Sequence, residues 1–210
     1  MDFYKFTSKN RPGEYLDYGM TAPDTDEKLP LLIYIHGAGG LGQNPTVLQY
    51  WMIASELEKR PQYKCRLVLP HCHAKEWVEL YDVLLEFVDE MRKRPDVDGK
   101  RIYLMGESLG GYTVWQLAMS RPDWFTAIVP ICGGGVTWSA PRLVGLDIWA
   151  FHGALDTTVY PDESIHMVGA INRCGGHAKL TVYGECDHDC WTPAMTDEAL
   201  WEWLFTRRKE

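Results

Sequence analysis

The sequence predicts an α/β fold: a doubly wound, mostly parallel sheet flanked by helices, with no large cap domain. Two observations carry this expectation. Six short, continuously apolar runs recur along the chain, and such runs suit strands buried on both faces of a parallel sheet. Between them lie segments whose apolar residues recur at spacings of three and four, the period of a helix packed by one face. Strands alternating with helices along one chain build a parallel sheet covered on both sides. At about 150 residues per domain, 210 residues are read as a single domain spanning 1–210. There is no internal repeat, low-complexity tract or dividing linker.

Residues 1–28 precede the first buried run, and Tyr15 to Met20 is their best strand, so antiparallel edge strands are expected there. Leu31-Leu32-Ile33-Tyr34-Ile35 follows, closed by His36-Gly37, and a helix is expected over 46–59. Arg66-Leu67-Val68-Leu69 ends at Pro70. Trp77, Leu80, Tyr81, Leu84, Phe87, Val88 and Met91 then mark an amphipathic helix. Ile102-Tyr103-Leu104-Met105 ends at Gly106 and leads into a helix over 109–120. Ala127-Ile128-Val129-Pro130-Ile131 ends at Gly133, and Ile148-Trp149-Ala150-Phe151 ends at His152-Gly153. A helix over 162–173 is next, with Asp162 as candidate N-cap. Leu180-Thr181-Val182-Tyr183 ends at Gly184, and a last helix is expected over 196–206. The segment from Cys132 to Asp147, about 15 residues, is too short for a helical lid.

Composition narrows the function. Hydrophobic residues make up 46% of the chain and charged residues 24%, which excludes a disordered tail protein. The balance of 21 basic against 29 acidic residues gives a net charge of −8. Phosphate-backbone affinity comes from clustered cations, so no nucleic-acid partner is expected. The absence of a long apolar stretch or of a basic, apolar leader predicts no membrane partner. Six cysteines without a C-x-x-C pair read as free thiols in a reducing cytoplasm.

The chemistry centres on Gly106-Glu107-Ser108-Leu109-Gly110-Gly111. The pattern G-x-S-x-G occurs once, after a buried strand and before a helical segment, which is the strand-turn-helix setting of a nucleophile elbow. A serine needs a base, itself oriented by a carboxylate. Of seven histidines, only His188 lies on a loop after the last strand and before the last helix. The order Ser, acid, His would place the base there. Asp156, shortly after the strand ending at Phe151, is the candidate acid, whereas Asp187 and Asp189 are too close in sequence to turn onto the His188 ring. An oxyanion hole needs backbone N–H groups, and Leu109 with Ala38 of the loop His36-Gly37-Ala38-Gly39-Gly40 can supply them. That glycine-rich loop lacks the Lys-Ser/Thr of a P-loop and the G-x-G-x-x-G spacing.

These residues resemble the α/β-hydrolase superfamily, specifically the small lidless esterases of the phospholipase/carboxylesterase and polyhydroxybutyrate-depolymerase-like type. The resemblance spans about 29–206 and rests on the H-G-A-G loop at His36, Pro70-His71-Cys72, the elbow, Pro130 to Gly135, H-G-x-x-D ending at Asp156, and His188-Asp189-Cys190-Trp191. It implies the α/β-hydrolase fold, a Ser108, Asp156 and His188 triad, an oxyanion hole of Ala38 and Leu109, and a small-molecule ester substrate. It departs at Glu107, where many relatives carry an apolar residue, and at His71 and His73, which suggests a different substrate pocket.

The expected activity is serine-dependent hydrolysis of carboxylic esters through an acyl-enzyme, with no cofactor and no metal. Two alternatives stand beside it: a peptidase of the prolyl-oligopeptidase type, whose members often carry a large extra domain, and an inactive binding module on the same fold. His71, Cys72, His73, Cys186 and Cys190 form a weaker zinc hypothesis without paired-ligand spacing, and a Cys186–Cys190 disulfide is a further possibility. Trp77, Trp138, Tyr160 and Trp191 are candidates for lining a pocket or packing in the core. Oligomeric state is left open.

Overall fold

In the computed structural model, which describes residues 1–210, eight strands form one sheet: β1 (Asp2–Thr7), β2 (Tyr15–Thr21), β3 (Leu29–Ile35), β4 (Arg66–Pro70), β5 (Val97–Glu107), β6 (Ala127–Ile131), β7 (Asp147–Gly153) and β8 (Lys179–Tyr183). Their order is β1-β2-β4-β3-β5-β6-β7-β8. β3 to β8 are mutually parallel; β2 runs antiparallel to β4, and β1 antiparallel to β2. The order reverses at β3, whose neighbours β4 and β5 lie on opposite sides of it. A crevice opens at such a reversal beyond the carboxyl ends of the strands, and ligands of open α/β sheets bind there.

The six helices are α1 (Met52–Glu58), α2 (Tyr81–Arg92), α3 (Leu109–Ser120), α4 (Asp162–Arg173), α5 (Trp191–Thr196) and α6 (Glu198–Thr206). Strand alternation divides the core into two layers. Leu31, Ile33 and Ile35 of β3 face the layer built with α2, α3 and α4. Leu32 and Tyr34 face the layer built with α1, α5 and α6. All seven β3 residues are buried, as a central parallel strand requires.

The fold class matches the expectation, with local corrections. The segment expected as one helix over 46–59 is a 3₁₀ turn (Pro45–Tyr50) followed by α1, broken at Trp51, whose backbone is extended at φ −66°, ψ 135°. A 3₁₀ turn over Trp77–Leu80 leads into α2. The last helix, expected over 196–206, is α6 and begins at Glu198, because Asp197 leaves helical geometry and accepts the Ala199 N–H at 2.9 Å; the short helix α5 before it is not among the expected ones. β5 begins at Val97, five residues before its apolar run. Asp162 does not cap α4: it is the first helical residue, Pro161 precedes it, and no side chain closes that end. Asp162 and Glu163 there still place negative charge at the positive end of the helix dipole. No helix is long and apolar enough to cross a membrane.

Candidate active site

The carboxyl ends of β3 and β5, adjacent at the reversal point, carry the two glycine-rich loops. At the elbow, Ser108 stands between β5 and α3 with φ 55°, ψ −120°, a conformation a non-glycine residue holds only when its surroundings impose it. What imposes it is close packing. A Cβ on Gly110 would lie 2.0 Å from the Ile35 carbonyl oxygen, so α3 sits against β3 only with glycine at that position. The Ser108 N–H is held by the Ile131 carbonyl at 2.9 Å.

His188, on the loop between β8 and α5, has Nε2 2.8 Å from Ser108 Oγ and Nδ1 2.7 Å from Asp156 Oδ2. A carboxylate only accepts, so Nδ1 carries the proton, leaving Nε2 free to accept the Ser108 hydroxyl proton. Asp156 is 2% exposed, yet its Oδ1 accepts the Thr158 and Val159 N–H groups at 2.9 Å each. Burial pushes its pKa up, and the hydrogen bonds from His188, Val159 and Thr158 outweigh burial and hold it below the usual carboxylate value. The flanking carboxylates are occupied elsewhere: Asp187 accepts the Asp189 N–H, and Asp189 accepts from Thr192. Trp191 meets the His188 ring edge-on, with centroids 5.5 Å apart.

Ala38 and Leu109 are each the first residue of a helical turn, a 3₁₀ turn over Ala38–Gly40 and α3. N–H groups in that position have no acceptor within their own helix. His36 sets the direction of the first. Its Nε2 accepts the Cys72 N–H at 3.0 Å, so its proton is on Nδ1, which donates to the Gly37 carbonyl at 2.7 Å. In a trans peptide the C=O and the following N–H point opposite ways, so tying the Gly37 carbonyl back to His36 turns the Ala38 N–H outward. Trp51, Trp77 and His71 surround the His36 ring. Burial lowers its pKa to about 4, which keeps it neutral.

Ser108 and His188 open into a cavity of about 530 Å³, within the range of small-ligand sites. Tyr34, Tyr50, Trp51, Met52 and Trp191 supply its apolar wall. Of the four aromatics singled out from the sequence, only Trp191 lines it. Trp77 is in the core, and Trp138 and Tyr160 stand exposed. His71 and His73 do not reach the cavity either: His71 Nε2 bonds the Gly40 carbonyl, and His73 stacks on Tyr15. The proposed zinc ligands are not brought together. The group with mutually close ligand atoms is Cys132, Asp156 and His188, and two of these are already joined in the serine chain. All six cysteines are free, Cys186 and Cys190 included. Sequence reasoning missed Trp51, Tyr50 and Met52 as cavity residues because the segment read as one continuous helix; only the break at Trp51 turns them toward Ser108.

Comparison with known proteins bears on the fold. Residues 74–138, which include the elbow, match the prolyl oligopeptidase family. Dipeptidyl-peptidase 5 of Porphyromonas gingivalis is 24% identical over 84% of this chain, which corresponds to 33% of that protein. A thermostable esterase superposes with a TM-score of 0.87 at 26% identity, over 99% of this chain and 63% of that one. Est1E of Butyrivibrio proteoclasticus shares the fold at a TM-score of 0.74 and 17% identity, with 96% and 97% of the two chains covered. The chain thus spans about a third of the peptidase and under two thirds of the esterase. With its sheet order, its elbow at the end of β5 and these likenesses, the chain has the α/β-hydrolase fold.

Proposed function

We propose that this chain hydrolyses small carboxylic esters by serine-dependent acyl transfer. The observation that carries the proposal is the hydrogen-bond chain Asp156–His188–Ser108, whose Ser108 and His188 line one cavity with Ala38, while Leu109 follows Ser108 as the first residue of α3. Ser108 Oγ attacks the ester carbonyl carbon as its proton passes to His188 Nε2. The carbonyl oxygen becomes an oxyanion held by the Ala38 and Leu109 N–H groups. Collapse expels the alkoxide, which takes the proton from His188 and leaves an acyl-Ser108. Water then gives its proton to His188 and attacks the acyl carbon, and collapse returns the proton to Ser108. Asp156 fixes the His188 tautomer and stabilises the imidazolium that forms. The free thiols support a cytoplasmic setting.

Reaction of Ser108 with a fluorophosphonate, together with a burst of p-nitrophenol from p-nitrophenyl acetate, tests this reading. An unlabelled Ser108 with no ester turnover sinks it. A second reading, amide cleavage as in prolyl oligopeptidases, is supported by the match over 74–138 and by dipeptidyl-peptidase 5. It predicts measurable cleavage of aminoacyl p-nitroanilides, amides that an enzyme confined to esters leaves intact.

A further inference from the structure

Glu107 is a carboxyl group buried beside the nucleophile, and neither the hydrolytic chain nor the core needs it. It is 5% exposed. Its Oε1 accepts the Gly37 N–H and the Trp51 indole N–H, each at 2.9 Å, and its Oε2 bonds the Tyr34 hydroxyl. These partners come from three places: β3, the loop that follows it, and the helix break at Trp51. A methyl group built on Gly37 would lie 3.3 Å from both Glu107 Oε1 and Ser108 Cβ, so the carboxyl, the loop and the nucleophile meet at one point.

On the reading that Ser108 is an acyl-transfer nucleophile, we propose that Glu107 is a positioning residue of the oxyanion hole, holding the Gly37–Ala38 peptide and the Trp51 wall in register with Ser108. The geometry divides the work between two side chains. His36 ties down the Gly37 carbonyl and Glu107 the Gly37 N–H, so both polar groups of that residue are fixed and the Ala38 N–H keeps one direction. Because Glu107 occupies the Gly37 N–H, that group is not available to an oxyanion, which leaves Ala38 as the loop's donor. The same carboxyl anchors Trp51, so hole and cavity wall are set by one group.

The protonation state has a consequence. Burial raises the Glu107 pKa to about 8; the Gly37 N–H pulls it down and the negative charge of Asp189 pushes it up. The other titratable groups at this point are Tyr34 from β3, Cys132 beyond β6, and His188 across the cavity. At neutral pH Glu107 is mostly protonated, so no full charge of the oxyanion's sign stands beside the hole. Above about pH 8 it ionises and opposes the oxyanion, and turnover falls.

The test compares Glu107→Leu, Glu107→Gln and Trp51→Phe with the wild type in p-nitrophenyl acetate hydrolysis between pH 6.5 and 9, corrected for spontaneous hydrolysis. Loss of one oxyanion donor costs about 10²- to 10³-fold in kcat, and a donor left mobile costs less, so Glu107→Leu should lower kcat by about 10- to 100-fold with KM within about threefold. Glu107→Gln keeps an acceptor for Gly37 and Trp51 and a donor for Tyr34. It should recover most of that loss and abolish the alkaline fall. Trp51→Phe removes one donor to the carboxylate, so it should move the alkaline fall to higher pH, and it serves as the decisive variant if Glu107→Leu does not fold. An alkaline fall in Glu107→Gln like that of the wild type, or wild-type kcat in Glu107→Leu, overturns the proposal while leaving the nucleophile reading standing. A wild type that neither reacts with fluorophosphonate nor turns over ester overturns both.

Discussion

Gly153 ends β7 four positions after Trp149, and its substitution by alanine probes how tightly His188 is placed. An added Cβ would lie 2.0 Å from the Asp187 carbonyl oxygen and 2.6 Å from that of Cys186, whereas real Cβ contacts essentially never fall below 3.0 Å. Both obstacles are backbone of the loop that carries His188, so no side chain can swing aside. Nor can β7 retreat: it is paired with β6 and β8, and just beyond it Ala154 N and Leu155 N bond the Tyr183 and Cys186 carbonyls at 2.9 Å each. The loop must therefore yield by about 1 Å, and a shift of that size can cost about 10²-fold in rate. The 2.8 Å contact between His188 Nε2 and Ser108 Oγ would open beyond hydrogen-bond length. Gly153→Ala should lower kcat for p-nitrophenyl acetate by about 100-fold, with KM little changed, and cost about 1–3 kcal/mol of stability through overpacking. Gly145→Ala, whose Cβ would meet nothing within 4 Å, is the control. Wild-type kcat with an unchanged Tm in Gly153→Ala would show that the loop is compliant and the reasoning wrong.

Ser108→Ala should reduce kcat by about 10³-fold or more in a protein that still folds, and retention of a tenth of the activity would remove the serine from the mechanism. Asp156→Asn exchanges a pure acceptor for an amide that favours the wrong His188 tautomer, so a loss of as much as about 10⁴-fold in kcat is expected from steady-state kinetics. The cavity is open, so esters from acetyl to butyryl should outpace long acyl chains, each CH₂ of which gains about 0.8 kcal/mol only where it can be buried. A series of p-nitrophenyl esters with its maximum at palmitate would contradict that.

The parts of this molecule that were legible in the sequence are those fixed by local chemistry. Buried strands announce themselves because both faces are covered, as in Leu31 to Ile35. The elbow is legible because close approach of α3 to β3 demands glycine at position 110. Ser108, Asp156 and His188 could be singled out because chain order and loop position follow from sheet topology. The cavity wall was hidden. Trp51 reads as one more apolar residue in a helical stretch, and what breaks the helix there goes with a bond from its indole to Glu107, 56 residues away. Glu107 itself stood out as a departure from a pattern, but its partners Tyr34, Gly37 and Trp51 are assembled only by the fold. His36 is similar: its tautomer depends on the Cys72 amide, beyond the next strand.

That tautomer yields a prediction about acid stability. Protonating His36 would put a hydrogen on Nε2 facing the Cys72 N–H 3.0 Å away, so the folded protein resists it. Burial accordingly lowers the pKa from 6.5 to about 4. Between those values the unfolded chain binds the proton and the folded chain does not, so the stabilisation is complete above about pH 6.5 and drains away as pH falls toward 4. At about 1.4 kcal/mol per unit this is on the order of 3 kcal/mol over the whole window. Glu107 runs the other way, since its raised pKa gives stability that is present below about 4.5 and lost as pH rises toward 8. The two oppose each other between about pH 4.5 and 6.5, so a bare acid titration of the wild type would understate both. In a Glu107→Gln background the His36 contribution stands alone: comparing urea unfolding with and without His36→Asn, the free-energy difference should shrink by about 2 kcal/mol from pH 7 to pH 5. Imidazole nitrogen resonances of His36 in the intact protein give an independent reading. They should stay at their neutral values down to about pH 4.5, and titration of that ring near pH 6.5 would mean the Cys72 N–H is not what holds it.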